Sequence, residues 1–451
     1  MDALLNGMQW FLNLGSSVVL PIFIFIFGIA LGTKPGKALT SGLTVGIGFI
    51  AVNLIINLMS TSLGPAAQAM VTRFGLTLDA IDIGGPAAQA ISYSTLLGIS
   101  AIPIGVLVNV ILLLVGLTRT LDVDLWNYWH AAFVASLVYV ITGSYPVAIL
   151  ATVVYLLMLY FFGDLLVPYI KKFYGFGNIT FPHGTSAPGF FLALPMNWIF
   201  DRIPGLNKLE ADSETIQKKF GVFGNTSVIG MIIGIVIGIL AGYNVQEIAN
   251  LGIQTAAVMI LMPRMVALIM EGLLPISEAA EEFIKKKFPG RDLYIGMDSA
   301  LSVGHPAVLS SSLVLVPITI LLAVILPGNK TLPFAELAAI PFMVCLMCAV
   351  FRGNIVRTII GGTIYMGIAL YVSSYCAPLI TKAAMIANYD ISEYSSITVL
   401  TEGGLWTTFV YVFGSQIGGV VALVLIGLAL LAGLVYINKV KPKKVSQEVL
   451  K

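Results

Sequence analysis

Eleven stretches of roughly twenty apolar residues, divided by short polar breaks, leave this chain a single medium to fold in, the lipid bilayer. They lie near residues 9–32, 39–60, 94–117, 127–145, 147–168, 225–243, 249–270, 306–327, 335–351, 355–372 and 409–437. Of 451 residues, 58% are hydrophobic and 10% charged, whereas soluble domains carry about a quarter charged residues. Backbone N–H and C=O groups find no water in hydrocarbon, so runs of this length are expected to be helices. The fold class expected is an all-α polytopic membrane protein of about eleven transmembrane helices. The opening Met1-Asp2-Ala3 lacks the basic segment and cleavage site of a secretory signal, so the first run is expected to be retained as a span.

Charge placement orients the spans. Lys34, Lys37, Arg119, Lys171, Lys172, the stretch from Lys208 to Lys219, Lys285 to Arg291, Arg352 and the tail from Lys439 all fall on one side of the predicted topology. The positive-inside rule makes that side cytoplasmic, with the amino terminus outside and the carboxyl terminus inside. A net charge of +2, with no basic run interleaved with aromatic residues, argues against a nucleic-acid groove.

A weak internal repeat emerges at an offset of roughly 210 residues. Ser62-Leu63-Gly64-Pro65-Ala66-Ala67 pairs with Glu271-Gly272-Leu273-Leu274-Pro275-Ile276, each expected to close a long apolar helix. Asp82-Ile83-Gly84-Gly85-Pro86 pairs with Gly296-Met297-Asp298-Ser299-Ala300, and Ala101-Ile102-Pro103-Ile104 with Leu315-Val316-Pro317-Ile318. Five spans per copy force opposite orientations, and the basic loops alternate accordingly, so two inverted five-helix repeats are expected. The organisation read from this is a first transmembrane repeat over 1–172 and an inter-repeat segment over 173–222, with a cytoplasmic amphipathic helix near Glu210–Phe220. A second repeat covers 223–372, an extracytoplasmic loop and final span 373–438, and a basic tail 439–451.

Polar residues in apolar country mark the candidate site. Phe181-Pro182-His183-Gly184-Thr185-Ser186-Ala187 is a kinked polar segment between the two halves. Proline and glycine break the helix, while hydroxyls and imidazole offer donors and acceptors for a polyhydroxylated ligand. Tyr294 to Pro306 has the same character and reads as a re-entrant tip. Its Asp298 suits two sugar hydroxyls, or the proton of a hydroxyl attacking phosphorus, and equally suits a helix cap. Weaker candidates are His130 at the start of the fourth span, with Asp122, Asp124 and Asn127 before it, Glu271 ending the seventh, and His305 entering the eighth. Arg352-Gly353-Asn354 with Arg357 is a further polar break, suited to anion recognition or to anchoring topology. Cys345, Cys348 and Cys376 sit among apolar residues without a second pair or a nearby histidine, so they are expected to be buried hydrophobes, and no metal or cofactor is expected.

His183-Gly184-Thr185-Ser186, together with Asp124-Leu125-Trp126-Asn127-Tyr128-Trp129-His130, Gly296-Met297-Asp298 and Arg352-Gly353-Asn354, resembles the galactitol permease IIC components of the bacterial phosphotransferase system. The likeness runs over nearly the whole length and extends, more faintly, to the ascorbate permeases of the same superfamily. It implies an inner-membrane homodimer with a substrate-binding core and a dimer-forming scaffold. It further implies a soluble IIB partner whose phosphocysteine phosphorylates an alditol that IIC positions, IIC itself not being phosphorylated. The resemblance carries substrate binding onto His183, Thr185 and Asp298, and further onto His130 and Ser186. Ala187-Pro188-Gly189-Phe190-Phe191 and Asp82 to Pro86 depart from the galactitol pattern, which brings other pentitols, hexitols or sugars into range.

The alternative is a proton- or ion-coupled secondary transporter of a polyol or sugar acid such as ascorbate, with Asp298 or Glu271 carrying the ion. A membrane hydrolase using Ser186 or Ser302 lacks a Gly-x-Ser-x-Gly elbow near any histidine. No phosphate-binding loop of ATPases and no arginine ladder of voltage sensors is present.

Overall fold

The computed structural model describes residues 16–75, 78–124, 128–208, 225–287, 292–333, 335–392 and 394–440, with a few isolated positions besides. The expected surface helix near Glu210–Phe220, Asn127 and the tail from 441 lie outside the described residues. The first half comprises α1 (Ser16–Ala30), α2 (Pro35–Arg73), β1 (Ala80–Asp82), α3 (Gly85–Tyr93), α4 (Leu96–Leu114), β2 (Thr120–Asp122), α5 (Trp129–Thr142), α6 (Tyr145–Tyr174), β3 (Ile179–Thr180) and α7 (Ala187–Phe200). The second comprises α8 (Thr226–Ala241), α9 (Val245–Lys287), β4 (Tyr294–Gly296), α10 (Ala300–Val303), α11 (Pro306–Ile325), β5 (Thr331–Leu332), α12 (Ile340–Val350), α13 (Ile355–Ile386), β6 (Ser396–Thr398), α14 (Leu400–Gly403) and α15 (Trp406–Val435).

Each of the eleven apolar stretches falls on one of these helices. Among the described residues, however, only seven helices are long and apolar enough to cross a bilayer alone. Helices α5 and α12 cover only Trp129–Thr142 and Ile340–Val350, and each begins among buried residues that follow a short strand, β2 or β5. Pro65 and Pro275 do not close their helices; α2 runs on to Arg73 and α9 to Lys287. Likewise, the helix expected to stop at 372 continues to Ile386. Helix α7 was not among the expected spans; its Pro188 stands in the first turn, where the missing N–H is harmless, and Pro195 lies inside it.

Helices α1, α2, α8 and α9 form one packed group. Glycines bring its long members together: a Cβ on Gly48 would stand 2.5 Å from Ile269 Cγ1, and one on Gly272 2.8 Å from the Val45 nitrogen. Small residues at such crossings let backbones approach where no hydrophobic effect draws helices together. On its other face α2 exposes Leu39, Leu43, Ile47, Ile50 and Leu54 at helical spacing. The remaining helices build the second group around α6, α12 and α13, whose side chains fill the main hydrophobic core.

Two small parallel sheets join the halves of the chain, with strand orders β5-β1-β6 and β2-β4-β3. Exchanging the halves converts one order into the other, so each half supplies the centre of one sheet and both edges of its counterpart. The paired register sets Asp82 opposite Thr398 and Gly296 opposite both Asp122 and Thr180. The repeat seen in the sequence therefore coincides with the two central strands. Edge groups are satisfied locally: Asn109 Nδ2 donates to the Thr120 carbonyl at 2.9 Å while its Oδ1 accepts from the Asp122 N–H at 3.1 Å. Asn329 does the same for Thr331, bonding its carbonyl at 2.9 Å and its N–H at 3.1 Å. Extended backbone survives within the body of a membrane protein only when its polar groups are paired in this way.

Candidate substrate site between the two halves

Both sheets discharge their chains toward one place. Strand β3 ends at Thr180, whose hydroxyl donates to the Gly163 carbonyl at 2.5 Å, and the chain then runs without regular structure through Pro182 and His183 into α7. A Cβ on Gly184 would lie 2.7 Å from His130 Cγ and 2.7 Å from the Tyr155 hydroxyl, so only glycine admits this close approach. Ser186 Oγ is 2.6 Å from Ser299 Oγ and 3.4 Å from His183 Nδ1. On the far side of the ring, His183 Nε2 lies 3.5 Å from Asp298 Oδ1. That same oxygen accepts the Ala300 N–H at 2.8 Å, so Asp298 both caps α10 and faces His183.

The other sheet delivers Glu402. His130 Nδ1 sits 2.5 Å from Glu402 Oε1, a close polar contact lying off the axis of an aligned hydrogen bond. Thr185 Oγ1 donates to the same oxygen at 3.0 Å. The two imidazoles link these halves of the site, with ring centroids 4.7 Å apart and edge to face. His130, His183, Thr185, Ser186 and Glu402 are all buried, whereas the Asp298 side chain retains 21% exposure. Access to the cluster is therefore on the Asp298 side.

A second set of carboxylates stands behind Glu402. Asp82 accepts the N–H groups of Gly84, Leu400 and Glu336 at 3.3, 3.2 and 2.9 Å. Glu336 in turn accepts both the N–H and the hydroxyl of Thr401. These bonds fix the backbone on which Glu402 is mounted. Sequence reasoning missed Glu402, Ser299 and this backing. The only available signal was that Val399 to Gly404 follows a strand in the place that Phe181 to Gly184 holds after β3, and the residues in the two segments do not match.

The structure thus gathers His130, His183, Thr185, Ser186 and Asp298, and sets two other candidates elsewhere. His305 is a helix cap: its Nδ1 accepts the Ala307 N–H at 3.2 Å, and its ring packs on Phe173 and Tyr174. Glu271 is exposed on α9 within the glycine-crossed group. Ser302 donates to the Ser299 carbonyl at 2.6 Å. Arg357 is engaged internally, donating to Asp201 at 2.7 Å and to the Leu206 carbonyl at 3.0 Å. The three cysteines are buried and free.

A paired imidazole and carboxylate beside hydroxyls, inside a membrane body and open on one side, can bind a polyol and accept a proton from it. Similarity to known proteins points the same way. Residues 10–393 match the family described as PTS system sugar-specific permease component, EIIC-GAT. The chain is 40% identical over 429 residues to the galactitol-specific EIIC component of the PTS of Escherichia coli K12, covering 95% of this chain and 94% of that protein. It is 36% identical over 428 residues to a putative permease IIC component of the same strain, covering 95% and 96%. Matched over most of its length in this way, the chain belongs to the EIIC-GAT family of phosphotransferase-system permease components and is a multi-pass membrane transport subunit.

Proposed function

We propose that this subunit binds galactitol or a related alditol at the His183–Asp298 site and carries it across a bacterial inner membrane to a soluble IIB protein bearing a phosphocysteine. The observation that carries the reading is the meeting of His183, Asp298, Ser186 and Ser299 at the junction of the two halves, with Asp298 the exposed member. Secondary transporters place their sites where broken segments of two repeats meet. In the transfer step the terminal hydroxyl oxygen of the alditol attacks phosphorus, its proton passes to the Asp298 carboxylate, and the P–S bond breaks. The products are the alditol phosphate ester and the IIB thiolate, and this chain forms no covalent intermediate. Holding the hydroxyl in line accounts for its contribution to rate.

The glycine-crossed group of α1, α2, α8 and α9 serves as the scaffold, with the apolar stripe of α2 covered by a second copy in a homodimer. The two halves of the chain, each carried through its last edge strand, β3 or β6, act as the inverted repeats, and the basic loops set the amino terminus outside and the carboxyl terminus in the cytoplasm. The test is uptake of radiolabelled galactitol by cells expressing this chain with and without a matching IIB. Product appearing as a phosphate ester only with IIB, and lost in Asp298→Asn, is the expected result. Free galactitol accumulating without IIB overturns the reading.

A further inference from the structure

Glu402 has one oxygen to spare. Oε1 is engaged by Thr185 and His130, while Oε2 has no hydrogen-bond partner among the described residues, although the residue is 0% exposed. His130 Nε2, equally buried, is in the same condition, as are the hydroxyls of Tyr155 and Tyr365. Tyr155 stands within hydrogen-bonding reach of Glu402 and Tyr365 interacts with it electrostatically, yet neither hydroxyl meets a partner at closed hydrogen-bond geometry. A buried carboxylate oxygen without a donor is costly, and several such groups converging on one place point to a ligand that supplies the missing partners. The atoms left open are a carboxylate oxygen, an imidazole nitrogen and two phenol hydroxyls, acceptors and donors of the kind that a hydroxyl-rich ligand pairs with.

We propose that Glu402, with His130 and Tyr155, is the specificity-determining pole of the site, taking the hydroxyls at the end of the alditol that is not phosphorylated. This rests on the reading that Asp298 and His183 hold the reacting end. The two carboxylates stand at opposite ends of the histidine pair, one exposed toward the donor and one enclosed. The enclosed pole suits recognition, because a buried polar group left unpaired by an analogue lacking one hydroxyl rejects that analogue strongly. Glu402 is thus a binding residue distinct in role from Asp298.

The experiment compares galactitol with fucitol, the same alditol lacking one terminal hydroxyl, and with glucitol, its epimer. Binding is measured by calorimetry on the full protein in detergent, and phosphorylation in membranes with IIB. Wild type is expected to prefer galactitol over fucitol by roughly 10⁴-fold, the range of a hydroxyl-reading site. Glu402→Gln is expected to lower that preference to under about 10-fold, with a raised KM for galactitol in the phosphorylation assay. Asp298→Asn is expected to keep the preference and lose phosphorylation, which separates the poles. Tyr155→Phe, an isosteric change, is expected to erode the preference in the same direction, and it carries the test if Glu402→Gln yields no folded protein. An unchanged preference in whichever of these variants folds overturns the assignment. A wild-type protein that binds neither alditol overturns the substrate reading itself, and this inference with it.

Discussion

The two sheets are copies of one plan, yet they spend their carboxylates differently. In the first half the acid stands at the end of the central strand, as Asp82, and glycine follows at Gly84 with φ of 88°. In the second half glycine occupies the strand end, as Gly296, and the acid follows two residues on, as Asp298. The reason is local: a Cβ on Gly296 would lie 2.9 Å from Pro182 Cγ and 3.0 Å from the Asp122 Cα, so no side chain fits there. Asp82, fully buried, uses its oxygens on three backbone N–H groups from both halves of the chain. Asp298, partly exposed, has one backbone bond and turns toward His183. One copy spends its acid on backbone N–H groups and the other leaves its acid facing an imidazole, and a shift of two residues along a strand exit separates the two.

Truncation breaks or sharpens this contrast. The largest effect is expected for Asp82→Ala, which strands three buried N–H groups and costs about 3 kcal/mol or more. Asp298→Ala removes a helix cap for only about 1 kcal/mol. Thermal unfolding of the purified proteins in detergent checks this, and equal losses would erase the distinction. Gly184→Ala drives a methyl into His130 and Tyr155 and is expected to cost about 1–3 kcal/mol, with galactitol binding lost on calorimetry. Thr401→Val removes the hydroxyl that Glu336 Oε1 accepts while keeping the Thr401 N–H on Oε2, and is expected to cost about 1–2 kcal/mol; it belongs to the backing of Asp82 and Glu336, so the phosphorylation rate at saturating galactitol should hold. The smallest effect is expected at His305, where Ala costs about 0.5–1 kcal/mol and Asn, also a capping residue, restores it. A drop in phosphorylation with His305→Asn would instead bring that histidine into the site.

The polar segment at His183 and the re-entrant Asp298 were legible because prolines, glycines and hydroxyls are conspicuous against hydrocarbon. Glu402 was not legible. It lies near the entry to the last span in a short Thr-Glu-Gly-Gly segment that reads as an interfacial turn, and nothing local announces that β6 pulls it inward. His305 shows the opposite case, since its neighbouring Gly304 and Pro306 suggest a polar break in sequence while its ring nitrogen accepts an N–H of its own helix, apart from the histidine–carboxylate cluster.

The sequence by itself determined the solvent, the helical class, the two-copy plan and the polar breaks that carry His183 and Asp298, because hydropathy, breakers and charge act locally along the chain. Tertiary structure alone decided which apolar stretches are long enough to span, which acid of the repeated pair is spent on backbone N–H groups, and that Glu402 meets His130 from across the molecule. Parallel strand pairing joins segments hundreds of residues apart, and such contacts depend on the whole fold rather than on any window of sequence.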